Sequence, residues 1–433
     1  MTLFSKMAIR NLWKNKRRSI STGMAILAGF AGLCLLGGYI LRVEKYLAVN
    51  SIYINHSGHL AIYKKGGLDF FYNNPRKYHL KGEDLQKLQE LLANDKEVEF
   101  TAPILQGMGL ISNGNKSVPF LAYGIEPDVE RRIQSHPEVH KWTHELVPAS
   151  GELSIKDAKG ELAETISITK ELGSLIGKNP PFNELSLQDK DVQLAARSFE
   201  SDLNAVNAHL GFKHSTGFSM LEDTGLVAPL SVMQSLYATE GATFIAVYLH
   251  PGTNVGNAVK RIQKAILDAQ INAEAYPFDD DRIGLFYTGS MGFLYIMAGF
   301  FVFLIFGAVA LSIVNSMTIG ILERVREIGT LRAIGFTDSQ TAWLFTLESL
   351  FLTAISIVIG YVATQIIALI VNGLNLRFSP PGIAGDMQFV VTPFLWVCIL
   401  VAIPIMIICM ICAYLVSKKL VNKPIIQLLQ QVN

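Results

Sequence analysis

Charge is scarce in this sequence. Asp, Glu, Lys and Arg make up 17% of its 433 residues, against 50% hydrophobic. A chain so apolar is not an ordinary soluble protein, and its long mixed stretches exclude a purely membrane-embedded one. Cysteine is scarcer still: four residues, Cys34, Cys398, Cys409 and Cys412, all in apolar runs. The long middle section has none, which excludes a disulfide framework there whichever compartment it faces. No Cys/His spacing fits a zinc site. A formal net charge of +1 gives no case for a nucleic-acid partner. The sequence also lacks a G-x-x-x-x-G-K-[ST] phosphate loop. Gly252-Thr-Asn-Val-Gly256 is bracketed by glycines, but no Lys-Ser/Thr pair follows it. No cofactor is therefore expected in this chain, and if ATP and Mg drive it they sit in another subunit. No Ser-His-Asp or paired-carboxylate arrangement stands out, so the chain does not read as an enzyme. His136, His140 and His144 are four apart, but Pro137 biases His136 away from helical geometry. They read as solvated surface histidines rather than metal ligands.

Long apolar runs are what the sequence does have. Ser19 to Leu41 carries no charge and can cross about 30 Å of hydrocarbon. Further spans read at 290–317, 344–371 and 392–416. The expected architecture is a membrane protein with four transmembrane α-helices and a large mixed α/β domain, 42–289, inserted between the first two. Its about 250 residues suit one large or two small domains. A segment at 318–343, a short loop at 372–391 and a tail at 417–433 complete the chain. Within the large domain, His59–Tyr63, Glu99–Leu105, Gly109–Ser112, Pro119–Gly124 and Phe244–Leu249 read as strands. Gly82–Leu92 and Val255–Gln270 read as helices, and the Pro/Asn/Gly/Ser-marked region 177–190 as loop. In the first span, Ala25 with Gly29 and Ala28 with Gly32 place small residues four apart, suiting either packing within the chain or an interface with a second copy. Pro393 marks the start of the fourth span and Pro404 a kink in it.

Residues 1–18 carry Lys6, Arg10, Lys14, Lys16, Arg17 and Arg18 and no acid. Lys6, Arg10 and Lys14 form a basic stripe on a helix. Phe4, Leu12 and Trp13 lie on the apolar side, a pattern for a helix in the interface that contacts membrane lipids. A signal-peptide n-region is the competing reading, opposed by the length of the apolar run that follows. Basic flanks at the N-terminus, at Arg324, Arg326 and Arg332, and at Lys418, Lys419 and Lys423 contrast with Arg377 alone between spans three and four. Both termini are therefore expected in the cytoplasm and the large domain outside.

The stretch Asn315–Gly335, NSMTIGILERVREIGTLRAIG, organises the rest. It leaves an apolar run and meets Glu323, Arg324, Arg326, Glu327 and Arg332. Leu322, Val325, Ile328 and Leu331, three apart, predict an apolar seam on an unbroken helix through Asn315–Ile334. Gly335 is the expected helix stop, and Thr337 with Gln340 the capping box of the next helix. From spacing alone this could equally be a loop whose charges only set topology. Glu348 is a carboxylate inside the third span and, like Asn315 in the second, a functional candidate.

These residues resemble the signature of the FtsX-like ABC transporter permeases, which include MacB-type efflux permeases and the lipoprotein-releasing LolC/LolE permeases. The resemblance is carried by Asn315, Met317, Glu323, Arg324, Arg326, Glu327, Ile328, Gly329, Leu331, Arg332, Ala333, Ile334 and Gly335. Ser57–Tyr63, Tyr123–Pro127 with Glu130, and Gly225–Tyr237 are similar to extracytoplasmic pieces of the lipoprotein-releasing group. Ile168–Gly177 only echoes that group's Gly-rich phrase. The resemblance implies a permease subunit in the bacterial inner membrane whose segment around Glu323–Gly335 contacts an ABC ATPase dimer. It further implies a second permease copy or homologue and a periplasmic cargo or adaptor. The implied function is mechanotransmission: ATPase motion reaches the outer domain and releases or exports a lipoprotein or other amphipathic cargo. Alternatives are tripartite efflux of peptides or small molecules, and signalling to a cell-wall hydrolase.

Overall fold

The computed structural model describes residues 16–143, 165–379 and 382–421. The expected interfacial helix with Phe4, Lys6, Arg10, Leu12, Trp13 and Lys14 lies outside these residues, as does His144. The chain divides into two compact units. One comprises 1–43, 292–376 and 388–433, the other 44–291 and 377–387.

The first unit is built on four helices, Lys16–Val49, Leu285–Glu323, Asp338–Gly373 and Leu395–Val421. Each is long and apolar enough to cross a membrane. Ile296, Phe303, Leu369 and Leu400 are mostly exposed. Hydrocarbon accommodates such a surface, whereas water would drive it to aggregate. Ile26, Phe30, Cys34, Ile313, Ile405 and Cys409 form the interior. A side chain at Gly29 would meet Ile305 Cγ2 at 2.9 Å and Val309 Cγ2 at 3.1 Å. Gly29 thus serves packing within the chain, while nothing lies within 4 Å of the Gly32 position. Buried hydroxyls on Thr346, Thr353 and Thr364 donate to the carbonyl one turn back, which satisfies them without water. Pro404 lies inside the fourth helix.

The second unit is α/β. Its strands are β1 (Leu60–Lys64), β2 (Val98–Ser112), β3 (Ser117–Ile125), β4 (Thr165–Thr169), β5 (Asp191–Arg197), β6 (Leu203–His214), β7 (Gly225–Pro229), β8 (Phe244–Leu249) and β9 (Ala273–Pro277). The sheet order is β3-β7-β4-β6-β5-β2-β8-β1-β9, and β2 also pairs with β3. Six strands therefore close into a ring, which leaves no open edge there. The long β2 belongs to both parts: Leu105–Ser112 pairs with β3 and Val98–Ile104 with β8.

In β8 every residue is buried because both faces are covered. Ile245, Val247 and Leu249 face a core shared with helices Gly82–Ala93 and Val255–Asp268. Phe244, Ala246 and Tyr248 face a second core with Tyr53, Ile133 and Val139. Two strand pieces expected at Glu99–Leu105 and Gly109–Ser112 are one strand, because Gln106–Met108 continue the pairing to β3. The region read as loop contains short helical turns at Phe182–Glu184 and Leu187–Lys190. A π-helical turn, Asn50–Ile54, follows the first long helix directly, and all five residues are buried.

Candidate functional site: the charged turn and a buried histidine cluster

The second long helix does not run unbroken through Ile334. It ends at Glu323, Arg324 leaves helical geometry at φ −109°, ψ 23°, and a new helix spans Val325–Ala333. The residue at the break makes a buried ion pair. Arg324 Nη1 lies 2.7 Å from Glu348 Oε2, and Nη2 donates to Oε1 at 3.1 Å. Both side chains are only 6% exposed. A carboxylate at this depth needs an opposite charge with matched hydrogen bonds, and the planar guanidinium supplies a two-pronged one. Arg324 also lies near the face of Phe345, its carbon 6.0 Å from the ring centroid. A small void of about 20 Å³, room for one water, adjoins Glu348, lined by Thr22, Ser316 and Ser349 together with Ile26, Ile313 and Leu352.

The break separates the charges that looked like one cluster. Arg324 is inside, while Glu323, Arg326 and Glu327 are exposed. The apolar seam shifts as well: Ile321, Val325 and Ile328 are buried, whereas Leu322 is 38% exposed and Leu331 half-buried. Arg332 Nε binds Asp338 Oδ1 at 2.9 Å, and its Nη1 donates to the Val421 carbonyl at 3.4 Å. It thereby ties the short helix to the third and fourth long helices. Asn315 is exposed on the second helix, away from Glu348's pair.

The stop and restart follow local chemistry. Phe336 N–H donates to Leu331 O and Gly335 N–H to Arg332 O. Together these form a Schellman cap that requires the φ of +103° at Gly335. Thr337 and Gln340 form the reciprocal capping box. Gly335→Ala is expected to cost about 1–3 kcal/mol, and Thr337→Ala about 1 kcal/mol. Gly329→Ala, with nothing within 4 Å of the new methyl, should be neutral or stabilise by up to about 1 kcal/mol. Thermal unfolding of the three variants checks this ranking.

The α/β unit holds a cluster that the sequence did not disclose. His56 Nε2 and Glu130 Oε2 are 2.5 Å apart, with side chains 1% and 3% exposed. Gln134 donates to the other carboxylate oxygen at 2.7 Å. Burial pushes the Glu130 carboxyl up, but the nearby His56 and His214 and these hydrogen bonds outweigh it and hold it below the usual range. Burial lowers His214 to about 4, with His56 adding to the effect and Glu130 opposing it. His59 is likewise lowered to about 4, chiefly by burial. Its Nδ1 accepts the Leu249 N–H at 3.1 Å, which needs an unprotonated nitrogen. His136, expected at the surface, is buried. It stacks on Tyr53 with ring centres 4.6 Å apart and lies 3.5 Å from Glu99. His140 is exposed. Among the described residues no group of three His, Cys, Asp or Glu could hold a metal.

Comparison with known proteins finds several similarities. The family described as FtsX-like permease C-terminal matches residues 299–425. An uncharacterized ABC transporter permease of Methanocaldococcus jannaschii is 24% identical over 156 residues, 35% of this chain and 39% of that protein. The ABC transporter permease YtrF of Bacillus subtilis is 32% identical over 83 residues, 18% of this chain and 19% of that protein. This chain thus spans well under half the length of either relative. Among solved structures, the periplasmic region of MacB from Actinobacillus actinomycetemcomitans aligns at TM-score 0.31 and 14% identity. The alignment covers 51% of this chain and 88% of that one. The extracellular domain of the noncanonic ABC-type transporter YknZ from Gram-positive bacteria aligns at 0.29 and 12%, covering 50% and 98%.

Proposed function

Because residues 299–425 match the FtsX-like permease C-terminal family, we propose that this multi-pass membrane protein is the permease subunit of an ATP-driven ABC transporter. It works with an ATPase dimer and a second permease copy or homologue, with both termini in the cytoplasm and the large unit outside. ATP and Mg belong to the ATPase, and this chain transmits its motion. The cargo is a lipoprotein or another amphipathic molecule, released or exported on the outer side.

One observation carries the reading. Glu323, Arg326 and Glu327 are exposed on a turn pinned from three directions by the Arg324–Glu348 pair, the Gly335 cap and the Arg332–Asp338 bridge. A loop that only set topology would not need such pinning, whereas a docking surface must hold its charges in register.

Reversing Glu323, Arg326 and Glu327 together should weaken ATPase docking or uncouple hydrolysis from cargo release while membrane insertion persists. Copurification yield with the ATPase and cargo released per ATP in reconstituted membranes are the measurements. Each single reversal at an exposed rim should cost below about 1 kcal/mol of binding. Unchanged yield and unchanged stoichiometry in the triple variant would make the turn a plain loop.

A further inference from the structure

The outer unit encloses an open cavity of about 420 Å³ that the permease reading does not use. It is walled on one side by Ser51, Asn55 and Ser57, which follow the first long helix, and on another by Arg282–Phe286, where the second begins. Aromatic faces dominate the lining. Tyr63 and Phe244 stack at 4.9 Å, and Phe218 meets Phe286 at 4.2 Å. The segment between spans three and four closes this corner. Ser219 N–H donates to Gly382 O at 3.1 Å and Ala384 N–H to Gly217 O at 3.0 Å. At Gly382 a side chain would strike the Phe286 ring at 2.6 Å.

The volume is that of a ligand pocket and far exceeds a packing defect. Its mouth is apolar: Met220 is 81% exposed, Leu285 73% and Tyr72 51%. Such a lip is unfavourable in water and is relieved when an apolar ligand covers it. The polar groups are few and neutral, among them Asn55, Gln106 and Thr243. Among the described residues Arg282 is the one charged lining residue, and it is already held by Asp69 at 3.1 Å and Asp280 at 2.9 Å. That triad sums to one negative charge, so an anionic head group gains nothing at the rim.

We propose that the cavity binds an uncharged amphipathic molecule, with its hydrocarbon portion against the aromatic wall and its hydrogen-bonding end at Gln106 and the Asn55 side-chain oxygen, the Asn55 amide N–H groups being already donated to Asn50 and the Thr216 carbonyl. Treating the occupant as cargo rests on the permease reading; the binding does not.

The test uses the full chain in lipid nanodiscs with a monoacylglycerol carrying a diazirine in its acyl chain, followed by peptide mapping of the photoproducts. Crosslinks are expected on peptides holding Tyr72, Met220–Leu221 or Ile283–Phe286. Unlabelled monoacylglycerol should compete at least tenfold better than the fatty acid of equal chain length. Met220→Trp and Leu285→Trp, both at exposed positions, should each cut this labelling about tenfold without changing thermal unfolding. Labelling confined to the membrane helices, equal competition by the fatty acid, or full labelling in both tryptophan variants would overturn the proposal. Should either variant fail to fold, the other and the wild-type competition decide. No nucleotide or partner is needed, so a negative result leaves the permease reading intact. Failure of the ATPase to copurify would conversely leave the cavity standing.

Discussion

Glu348→Ala is expected to destabilise the membrane unit by about 3–5 kcal/mol, and Arg324→Ala by a similar amount, because each strands a buried charge. Glu348→Gln keeps a hydrogen-bond acceptor and should fall between wild type and alanine. Arg324→Met with Glu348→Leu should recover most of the loss, since it removes both charges and fills the space. Thermal unfolding of the full chain in one detergent gives the ranking. Single-alanine costs below about 1 kcal/mol would mean that water reaches the pair and screens it. The double variant separates stability from shape. Without the attraction between its guanidinium and Glu348, residue 324 has less reason to leave the helix that ends at Glu323. Hydrogen exchange across Arg324–Ile328 should then change even where the melting temperature recovers. If the turn docks the ATPase as proposed, that variant should be stable yet poorly coupled, which a purely structural ion pair would not produce.

What was legible in the sequence was what neighbouring residues decide. The four apolar helices follow from long apolar runs, and Phe244–Leu249 from six consecutive apolar residues covered on both faces. The Gly335 stop and the Thr337–Gln340 box were legible because each closes within a few residues. The break at Arg324 was not, and the partner of Arg324 lies 24 residues away at Glu348. In a list of charges Arg324 looks the same as Arg326, although one is buried and the other exposed. Closure of the ring through β2 and β3 depends on where the chain goes after each strand, which alternation does not encode. The histidine cluster draws on positions 56, 59, 130, 136 and 214, too widely spaced for any motif. Only the run from His136 to His144 drew notice by its spacing, and it misled, since His136 packs on Tyr53.

That cluster predicts acid sensitivity of the α/β unit, with a sign fixed by linkage. His59 and His214 ordinarily titrate near 6.5 and are lowered to about 4 in the fold. Below about pH 6.5 the unfolded chain takes up protons that the folded one refuses. Stability is therefore fully present above that pH and is lost as pH falls toward 4. Each histidine contributes a slope of at most about 1.4 kcal/mol per pH unit. Glu130 acts in the same direction lower down. Its carboxyl is held below its ordinary 4.5, so its contribution persists above that value and disappears as acid protonates it. Lys45 and His136 disfavour protonated His59, while Glu99 favours it. His214 faces His56 and Glu130. Hydrogen exchange on the full chain, corrected for intrinsic rates, should show peptides of β1 and β6 losing protection between pH 7 and 5. Peptides of the four long helices should change little. His214→Gln should reduce the slope at β6 by about the share of one proton, and adding His59→Gln should nearly flatten it. A profile already flat in the wild type would mean that the folded domain accepts these protons freely, and that the burial around His59 and His214 opens in solution.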